Sequence, residues 1–517
     1  MQPASGPAVL QQLLNEASQL PRSPLNDMAA QQKMIGILRR AHAARLSPGD
    51  AQTLHRVMAV ATKWPITLIS QRAIDARNDV SGFGIIGNVA EAAAAFQALL
   101  EQRYSHFVWA GGSGYGYTEE AGYYVRLPPA ELDRMLTEWM GHTTFAEKAQ
   151  QRKELIGRLE GSTKDSTFFD NLPPGVNLAT SFVKWDKDGF VEEHPSREHR
   201  SRERLTFQCL PEATCPNFLR GLSRILPHQA AQEALQEAIG AAVFGLTPAS
   251  DSARRIILLA GRRNSGKSTI LGLLQEFFPK YAVASVPPEE WSKEYSRALL
   301  EAARLNIVTE LSGRHELAGD HVKRIASCEL TLGRLPYGQP RIFRPVAWHF
   351  FATNELPRVS DKTSAFERRM LVISFDQSLR QDEIEGNFLN RVREELPGIL
   401  NWASDGAERL IRRGYFLPPP GHQEAVLNMQ FGNDLVEIFA RLGVEAARGD
   451  HRGITSEALW TALKTFAEAR DVHTDGWTDV THMRSLSGLL KKLYGAERAT
   501  RNGRAFHRFV RLRGAPL

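Results

Sequence analysis

Cysteine is scarce in this chain: Cys209, Cys215 and Cys328 are the only three in 517 residues. Three thiols cannot pair completely, and a chain this long needs no covalent staples, so a reducing, cytoplasmic setting is expected. A zinc site at Cys209 and Cys215 would have to recruit His194 or His199, because no second cysteine pair lies nearby. Ordinary buried or half-buried thiols are the simpler reading. No run of about eighteen apolar residues occurs, so no membrane span is expected. The first residues, Met1-Gln-Pro-Ala-Ser-Gly6, lack a basic stretch followed by a hydrophobic one, and no secretory signal is expected. A large excess of one charge is missing too. The net charge of +6 is small for this length and does not by itself mark a nucleic-acid binder. With 42% apolar and 24% charged residues, the composition is that of a soluble globular protein, and the length implies several domains.

The charge that does matter is local. Beyond Trp477 the basic residues are Arg484, Lys491, Lys492, Arg498, Arg501, Arg504, Arg508, Arg511 and Arg513, opposed only by Asp479 and Glu497. Such an excess can line a phosphate backbone or form a solvated basic tail. Apolar residues interleaved among the charges argue against disorder.

Periodicity and turn residues give a coarse map. Helices are expected over 8–19, 25–44, 128–140, 216–225 and 229–243. Strands are expected over 106–109 and 122–126, joined by a glycine loop over 111–116, and 205–209 is a short extended candidate. That loop lacks a closing Gly-Lys-Ser/Thr and reads as a connection rather than a phosphate cradle. A boundary falls at 245–252, and Pro418-Pro-Pro-Gly421 ends the central region.

The most specific signal is Gly261-Arg262-Arg263-Asn264-Ser265-Gly266-Lys267-Ser268, followed by Thr269 and preceded by the apolar run 256–260. A strand, a glycine-rich turn and a helix in this order turn backbone N–H groups toward phosphate oxygens. Lys267 can reach the outer phosphates, and Ser268 can offer its hydroxyl to Mg²⁺. ATP and Mg²⁺ are the expected ligands. The stretch 304–310 reads as a core strand ending at Glu310, placed to polarise an attacking water and to steady the metal. Position 309 is threonine, where a second acid would hold the metal more firmly. The next apolar strand, 345–354, ends in Asn354, which can bond the water or the γ-phosphate. Arg368 and Arg369 precede the strand 370–375, and a guanidinium there suits charge stabilisation across a subunit interface. A strand-end glutamate, a capping asparagine and a structural salt bridge are the plainer readings of these positions.

In order and spacing these segments resemble the superfamily 3 helicases of phage, plasmid and poxvirus primase-helicases. Phe169-Asp-Asn-Leu-Pro-Pro-Gly-Val-Asn177 and Ala213-Thr-Cys-Pro-Asn-Phe218 resemble the helical lead-in of that family. The resemblance implies a multidomain α/β chain with an AAA+-like P-loop ATPase core. It implies a mixed α/β accessory or collar region over 1–160, a helical lead-in over 161–245 and the core over 246–400. A helical connector over 401–450 and a winged-helix-like domain over 451–517 follow. Gly261–Ser268 would be the Walker A loop, Glu310 the catalytic Walker B acid, Asn354 the polar sensor, and Arg368-Arg369 would contain the arginine finger. The activity implied is ATP-driven translocation on single-stranded or forked DNA by a homo-oligomeric ring, commonly a hexamer, with a separate primase or replication partner and no membrane. The stretch 329–344 would be the hairpin that grips DNA, through Arg334 and Arg341, with Lys323 just before it. Arg484, Lys491, Arg501 and Arg504 would meet phosphates in the C-terminal domain. Solvent-exposed charge and a protein-binding winged helix remain open readings. No persuasive metal-binding pair for primer synthesis is found; Asp75 and Asp79 are four apart in a poorly defined setting. An ATP-switched initiator, remodeller or defence ATPase without processive unwinding is the main alternative.

Overall fold

The run Ile256–Gly261 is apolar at nearly every position because both of its faces are covered. Ile257 and Leu259 enter one buried cluster, and Ile256, Leu258 and Ala260 enter another. This is the pattern of a strand inside a parallel sheet flanked on both sides. The computed structural model describes residues 6–22, 28–44, 46–66, 69–70, 73, 89–140, 148–170, 172–187, 189–246, 256–313, 316–335, 338, 340–380, 386–432, 434–449 and 452–514. Asp75, Asp79 and most of the boundary at 245–252 lie outside the described residues. The chain divides into two compact units, Met1–Phe168 and Phe169–Leu517.

The first unit begins with helices α1 (Gly6–Ser18), α2 (Met28–Ala43) and α3 (Pro48–Thr62), packed around Leu13, Met34, Ile37, Leu54 and Met58. Helix α4 (Val89–Arg103) leads into an antiparallel meander of β1 (His106–Ala110), β2 (Ser113–Thr118) and β3 (Tyr123–Leu127), and α5 (Pro129–Met140) and α6 (Ala149–Thr163) follow. The glycine loop expected over 111–116 is mostly strand. Only Gly111 and Gly112 make the turn, both at positive φ, and Ser113–Thr118 pairs on both sides. Its other two glycines are needed for space, because a Cβ at Gly114 would meet the Phe107 ring and one at Gly116 the Tyr104 ring.

The second unit opens with a small antiparallel sheet of β4 (Gly175–Asn177), β5 (Phe182–Asp186) and β6 (Gly189–Glu193). The lead-in expected to be helical is therefore mixed, its extended chain burying Val176, Leu178 and Val183 in the core. Its helices, α7 (Pro216–Ile225) and α8 (Gln229–Val243), fall where the sequence placed them. The stretch 205–209, expected to be extended, pairs in no strand.

The core elements are β7 (Ile256–Gly261), α9 (Lys267–Phe277), β8 (Val283–Ala284), α10 (Glu294–Ala298), β9 (Leu305–Val308), α11 (Gly319–Ala326), the hairpin β10 (Thr331–Gly333) and β11 (Arg341–Phe343), β12 (Trp348–Thr353), α12 (Ser364–Glu367) and β13 (Met370–Phe375). Five strands form one parallel sheet in the order β13-β7-β12-β9-β8. Helices α13 (Phe388–Arg393) and α14 (Leu396–Arg413) come next. Helix α14 lies against α8 at backbone distance: a Cβ on Gly240 would sit 2.2 Å from the Ala403 carbonyl oxygen. Buried Glu237 on α8 is held by Arg409 and Arg413 of α14, so its charge is paired rather than stranded.

The chain ends with α15 (His422–Phe431), α16 (Leu435–Leu442), β14 (Val444–Ala446), β15 (Ile454–Thr455), α17 (Ser456–Glu468), α18 (Asp479–Tyr494), β16 (Glu497–Arg501), β17 (Arg504–Arg508) and β18 (Val510–Leu512). Strands β15, β17 and β16 form one antiparallel sheet, and β14 pairs with β18. Leu459, Leu463, Phe466, Leu486, Leu490 and Val510 make the buried centre of this end. Among the described residues no helix is long and apolar enough to cross a membrane.

Candidate functional site

Three loops meet at the carboxyl edge of the parallel sheet. The first leaves β7 at Gly261. A Cβ there would lie 2.2 Å from the Phe375 carbonyl oxygen, and one at Gly266, which is left-handed at φ +88°, would lie 2.7 Å from Ile225. Both positions therefore require glycine. Neighbouring chain braces the loop. The Leu379 N–H donates to the Asn264 carbonyl at 2.9 Å, and the Ser378 hydroxyl donates to the Arg263 carbonyl at 2.9 Å. The Ser265 hydroxyl donates to the Arg262 carbonyl at 2.8 Å.

Lys267 begins α9 and is only 6% exposed. Its ammonium donates to the carbonyls of Gly261 at 2.8 Å and Arg262 at 2.6 Å, and to the Ser265 hydroxyl at 3.0 Å. Burial holds its pKa below the ordinary lysine range. Among the described residues, the backbone N–H groups of Gly266, Lys267 and Ser268 donate to no backbone acceptor. A buried cation and unpaired N–H groups at a helix start fit an anionic triphosphate. Ser268 is exposed in the first turn, and Thr269 is half-buried, its N–H donating to Gly266.

The second and third loops follow β12 and β9. Thr353 pairs with Ala260, so Asn354, the next residue, stands level with Gly261 and is exposed. Strand β9 lies on the other side of β12 and stops at Val308, with Thr309 and Glu310 exposed beyond it. The Leu311 N–H donates to the Ala352 carbonyl at 2.7 Å, which keeps Glu310 against the same edge. The fold thus brings Gly261–Thr269, Glu310 and Asn354 together. Among the described residues no group of three or more His, Cys, Asp or Glu side chains could hold a metal. Ser268 and Glu310 would complete an Mg²⁺ site only with phosphate oxygens and water, the donor set Mg²⁺ prefers. Of the residues considered for zinc, His199 is engaged elsewhere and Cys215 is buried. His199 bonds Glu193 at 2.5 Å and stacks on Phe182, and burial pushes the Cys215 thiol up to about 12.

Arg368 and Arg369 are not part of this constellation within one chain. They precede Met370, at the amino edge of the sheet, where the Ile256 N–H donates to the Arg369 carbonyl. A six-residue strand separates that edge from the phosphate loop, roughly 20 Å at the usual rise. Arg369 donates to the Ser327 hydroxyl at 2.6 Å and the Ala365 carbonyl at 2.7 Å; Arg368 is exposed.

The hairpin cations are paired. Arg334 reaches Glu294 at 3.4 Å and the Tyr295 hydroxyl at 2.6 Å, Arg341 reaches Glu301 at 2.9 Å, and Lys323 reaches Asp361 at 2.5 Å. The turn residues Pro336, Tyr337 and Gln339 lie outside the described residues. On the hairpin's outer face Leu332 stands opposite Ile342, both exposed.

The C-terminal cations are placed differently. Met483, Leu486 and Leu490 bury one side of α18, which leaves Arg484, Gly488 and Lys491 exposed on the other. Strands β16 and β17 are joined by Asn502 and Gly503, both at positive φ, the requirement of a tight two-residue turn. Arg501 and Arg504 flank that turn as a cross-strand pair and are exposed. Among the described residues none of Arg484, Lys491, Arg501 and Arg504 makes an ion pair, whereas Arg511 and Arg513 share Glu445.

Sequence reasoning missed the bracing of the phosphate loop by Ser378 and Leu379 and the wall that α7 sets beside it. No local pattern signals either, because both are long-range contacts.

Residues 259–369 match a family of unknown function, DUF5906, which spans well under half of the chain. No curated protein matches. Among solved structures, the apo C-terminal region of NrS-1 is similar at 10% identity. In one A-form structure the TM-score is 0.43, covering 80% of this chain and 97% of that one. A second A-form structure, spanning residues 305–718, gives 0.44 over 81% and 99%.

Proposed function

We propose that this chain is an ATP-dependent DNA translocase or helicase that works as a ring in the replication of a mobile element. The observation that carries the reading is the convergence of the Lys267 loop, Glu310 and Asn354 on one edge of a parallel sheet, where adjacent strands lead in different directions. The loop N–H groups and Lys267 hold the β- and γ-phosphates. Asn354 and Glu310 orient the water that attacks. Ser268 and Glu310, with phosphate oxygens and water, would hold Mg²⁺, which would supply neutralising charge at the γ-phosphoryl group. The distance of Arg369 from its own loop favours action on a neighbouring subunit's nucleotide, which makes a homo-oligomer part of the proposal. We read α17, α18 and the β16–β17 hairpin as winged-helix-like, a reading supported by their order, and the exposed cations Arg484, Lys491, Arg501 and Arg504 suit a DNA backbone.

The test is ATP-dependent unwinding of forked DNA by the purified chain, with assembly state followed in parallel and Lys267→Ala and Arg369→Ala beside the parent. Unwinding lost in both variants supports the motor. A DNA-bound, ATP-competent ring that neither unwinds nor translocates would sink it.

A second reading, an ATP-switched initiator or remodeller, is favoured by one observation. Lys323, Arg334 and Arg341, the residues that would grip a strand in the channel, are all occupied by carboxylates. ATP-dependent DNA binding without strand separation is its signature.

A further inference from the structure

Helix α18 turns one continuous stripe outward: Thr481, Arg484, Ser485, Gly488, Lys491 and Lys492 are all exposed or face away from the buried Met483, Leu486 and Leu490. From Thr481 to Lys492 the helix has no acidic residue. Arg484 stands before the middle of the stripe, Lys491 and Lys492 stand after it, and the middle itself is made of the two smallest residues, Ser485 and Gly488. Glycine weakens a helix interior, and nothing in the fold requires one here. Its φ is not left-handed, and a Cβ at 488 would meet no neighbour within 4 Å. Two hydroxyls of the stripe are also open. The Ser487 hydroxyl, off the stripe, donates back to the Met483 carbonyl at 2.6 Å, whereas those of Thr481 and Ser485 make no hydrogen bond among the described residues.

The centre of a protein–protein contact is apolar, and between Thr481 and Lys492 this stripe has no apolar side chain. A single strand has no groove for a helix to enter. The major groove of B-form DNA is about 12 Å wide and admits an α-helix, whose hydroxyls can meet base edges while its cations meet phosphates. How far the helix sinks is set by the bulk of the side chains at its middle.

We propose that α18 lies in the major groove of duplex DNA, with Gly488 at the point of closest approach and Thr481 and Ser485 against base edges. The proposal rests on the DNA reading of the C-terminal end. It adds the class of nucleic acid, B-form duplex, and the uncharged residues that fit it. The His507 ring meets the Ser487 hydroxyl at 2.8 Å, which fixes β17 and its Arg501–Arg504 turn against the same helix.

The test is anisotropy binding of the full chain, without nucleotide, to duplex DNA, single-stranded DNA of the same length and duplex RNA, across a salt series. Gly488→Leu places bulk at the closest point without changing charge. Gly488→Ala places less and is favourable in a helix, so it keeps the test readable if leucine disturbs the fold. Gly157→Leu, at an equally open and exposed glycine of α6, is the control. Gly488→Leu is expected to weaken duplex DNA binding by about tenfold or more and Gly488→Ala by about threefold. The salt slope should not change, because no phosphate contact is removed. Single-stranded DNA binding, and duplex binding by the control, are expected to stay within about twofold of the parent. Duplex affinity unchanged in both Gly488 variants would overturn the groove contact, and so would an equal loss on single-stranded DNA. Parent binding to duplex RNA as tight as to duplex DNA would overturn it too, because the A-form major groove is too narrow to be read. A parent that binds none of the three would overturn the DNA reading itself.

Discussion

The hairpin β10–β11 and the hairpin β16–β17 both carry a pair of arginines, but only one pair is neutralised. Arg334 and Arg341 are met by Glu294 and Glu301 from the segment around α10. Arg501 and Arg504 flank a tight turn with no carboxylate against them among the described residues. An arginine already in an ion pair must lose that partner before it gains a phosphate, and the exchange yields little net energy in water. What predicts phosphate binding is therefore uncompensated charge, not the number of cations on a hairpin.

The largest effect should come from removing the uncompensated set. Replacing Arg484, Lys491, Arg501 and Arg504 together by alanine is expected to weaken forked-duplex binding by at least about a hundredfold at moderate salt. The log-log salt dependence should become shallower by about three to four. A DNA affinity left within threefold, measured by anisotropy across a salt series, would break the comparison. The Arg501→Ala, Arg504→Ala pair alone should flatten the slope by about two. The same two substitutions at Arg334 and Arg341 should change affinity by less than about threefold, since each cation is already spent.

A gain of function sharpens the contrast. Glu294→Gln with Glu301→Gln removes the two carboxylate charges that face Arg334 and Arg341, and single-stranded DNA binding is expected to tighten severalfold and become more salt-sensitive. No change in either would show that this hairpin faces away from the strand.

The smallest effect concerns pH. His507 is buried, and burial, then the charge of Arg498, hold its pKa below the ordinary value. Its Nε2 meets the Ser487 hydroxyl at 2.8 Å, which joins β17 to α18. A depressed histidine pKa means the unfolded chain binds the extra proton first, so stability falls as pH drops below about 6.5 and levels off below the folded value. Hydrogen exchange of α18 amides should accelerate from pH 7.5 to 5.5, after correction for the intrinsic rate, and His507→Gln should flatten that change. Identical pH responses in parent and variant would show that His507 is not the group behind the change.

The strand, glycine turn and helix at 256–277 were legible because their pattern is local: Gly261, Gly266, Lys267 and Ser268 within eight positions after an apolar run. The ends of β9 and β12 were legible for a similar reason, since an apolar run that stops at a polar residue marks a sheet edge. The order of the five strands was not, because a buried strand looks the same whichever neighbour it has. Nor was the fate of Arg334 and Arg341, whose partners come from a segment far upstream and are set beside them only by tertiary packing. The glycines of 111–116 misled for a steric reason. Glycine usually marks a turn, but Gly114 and Gly116 are strand positions vacated for aromatic rings.

Lys267 spends its three protons on the carbonyls of Gly261 and Arg262 and on the Ser265 hydroxyl of its own loop. Under the proposed function an arriving phosphate would have to win this ammonium from partners it already holds, so the bonds that order the loop would also set the cost of occupying it.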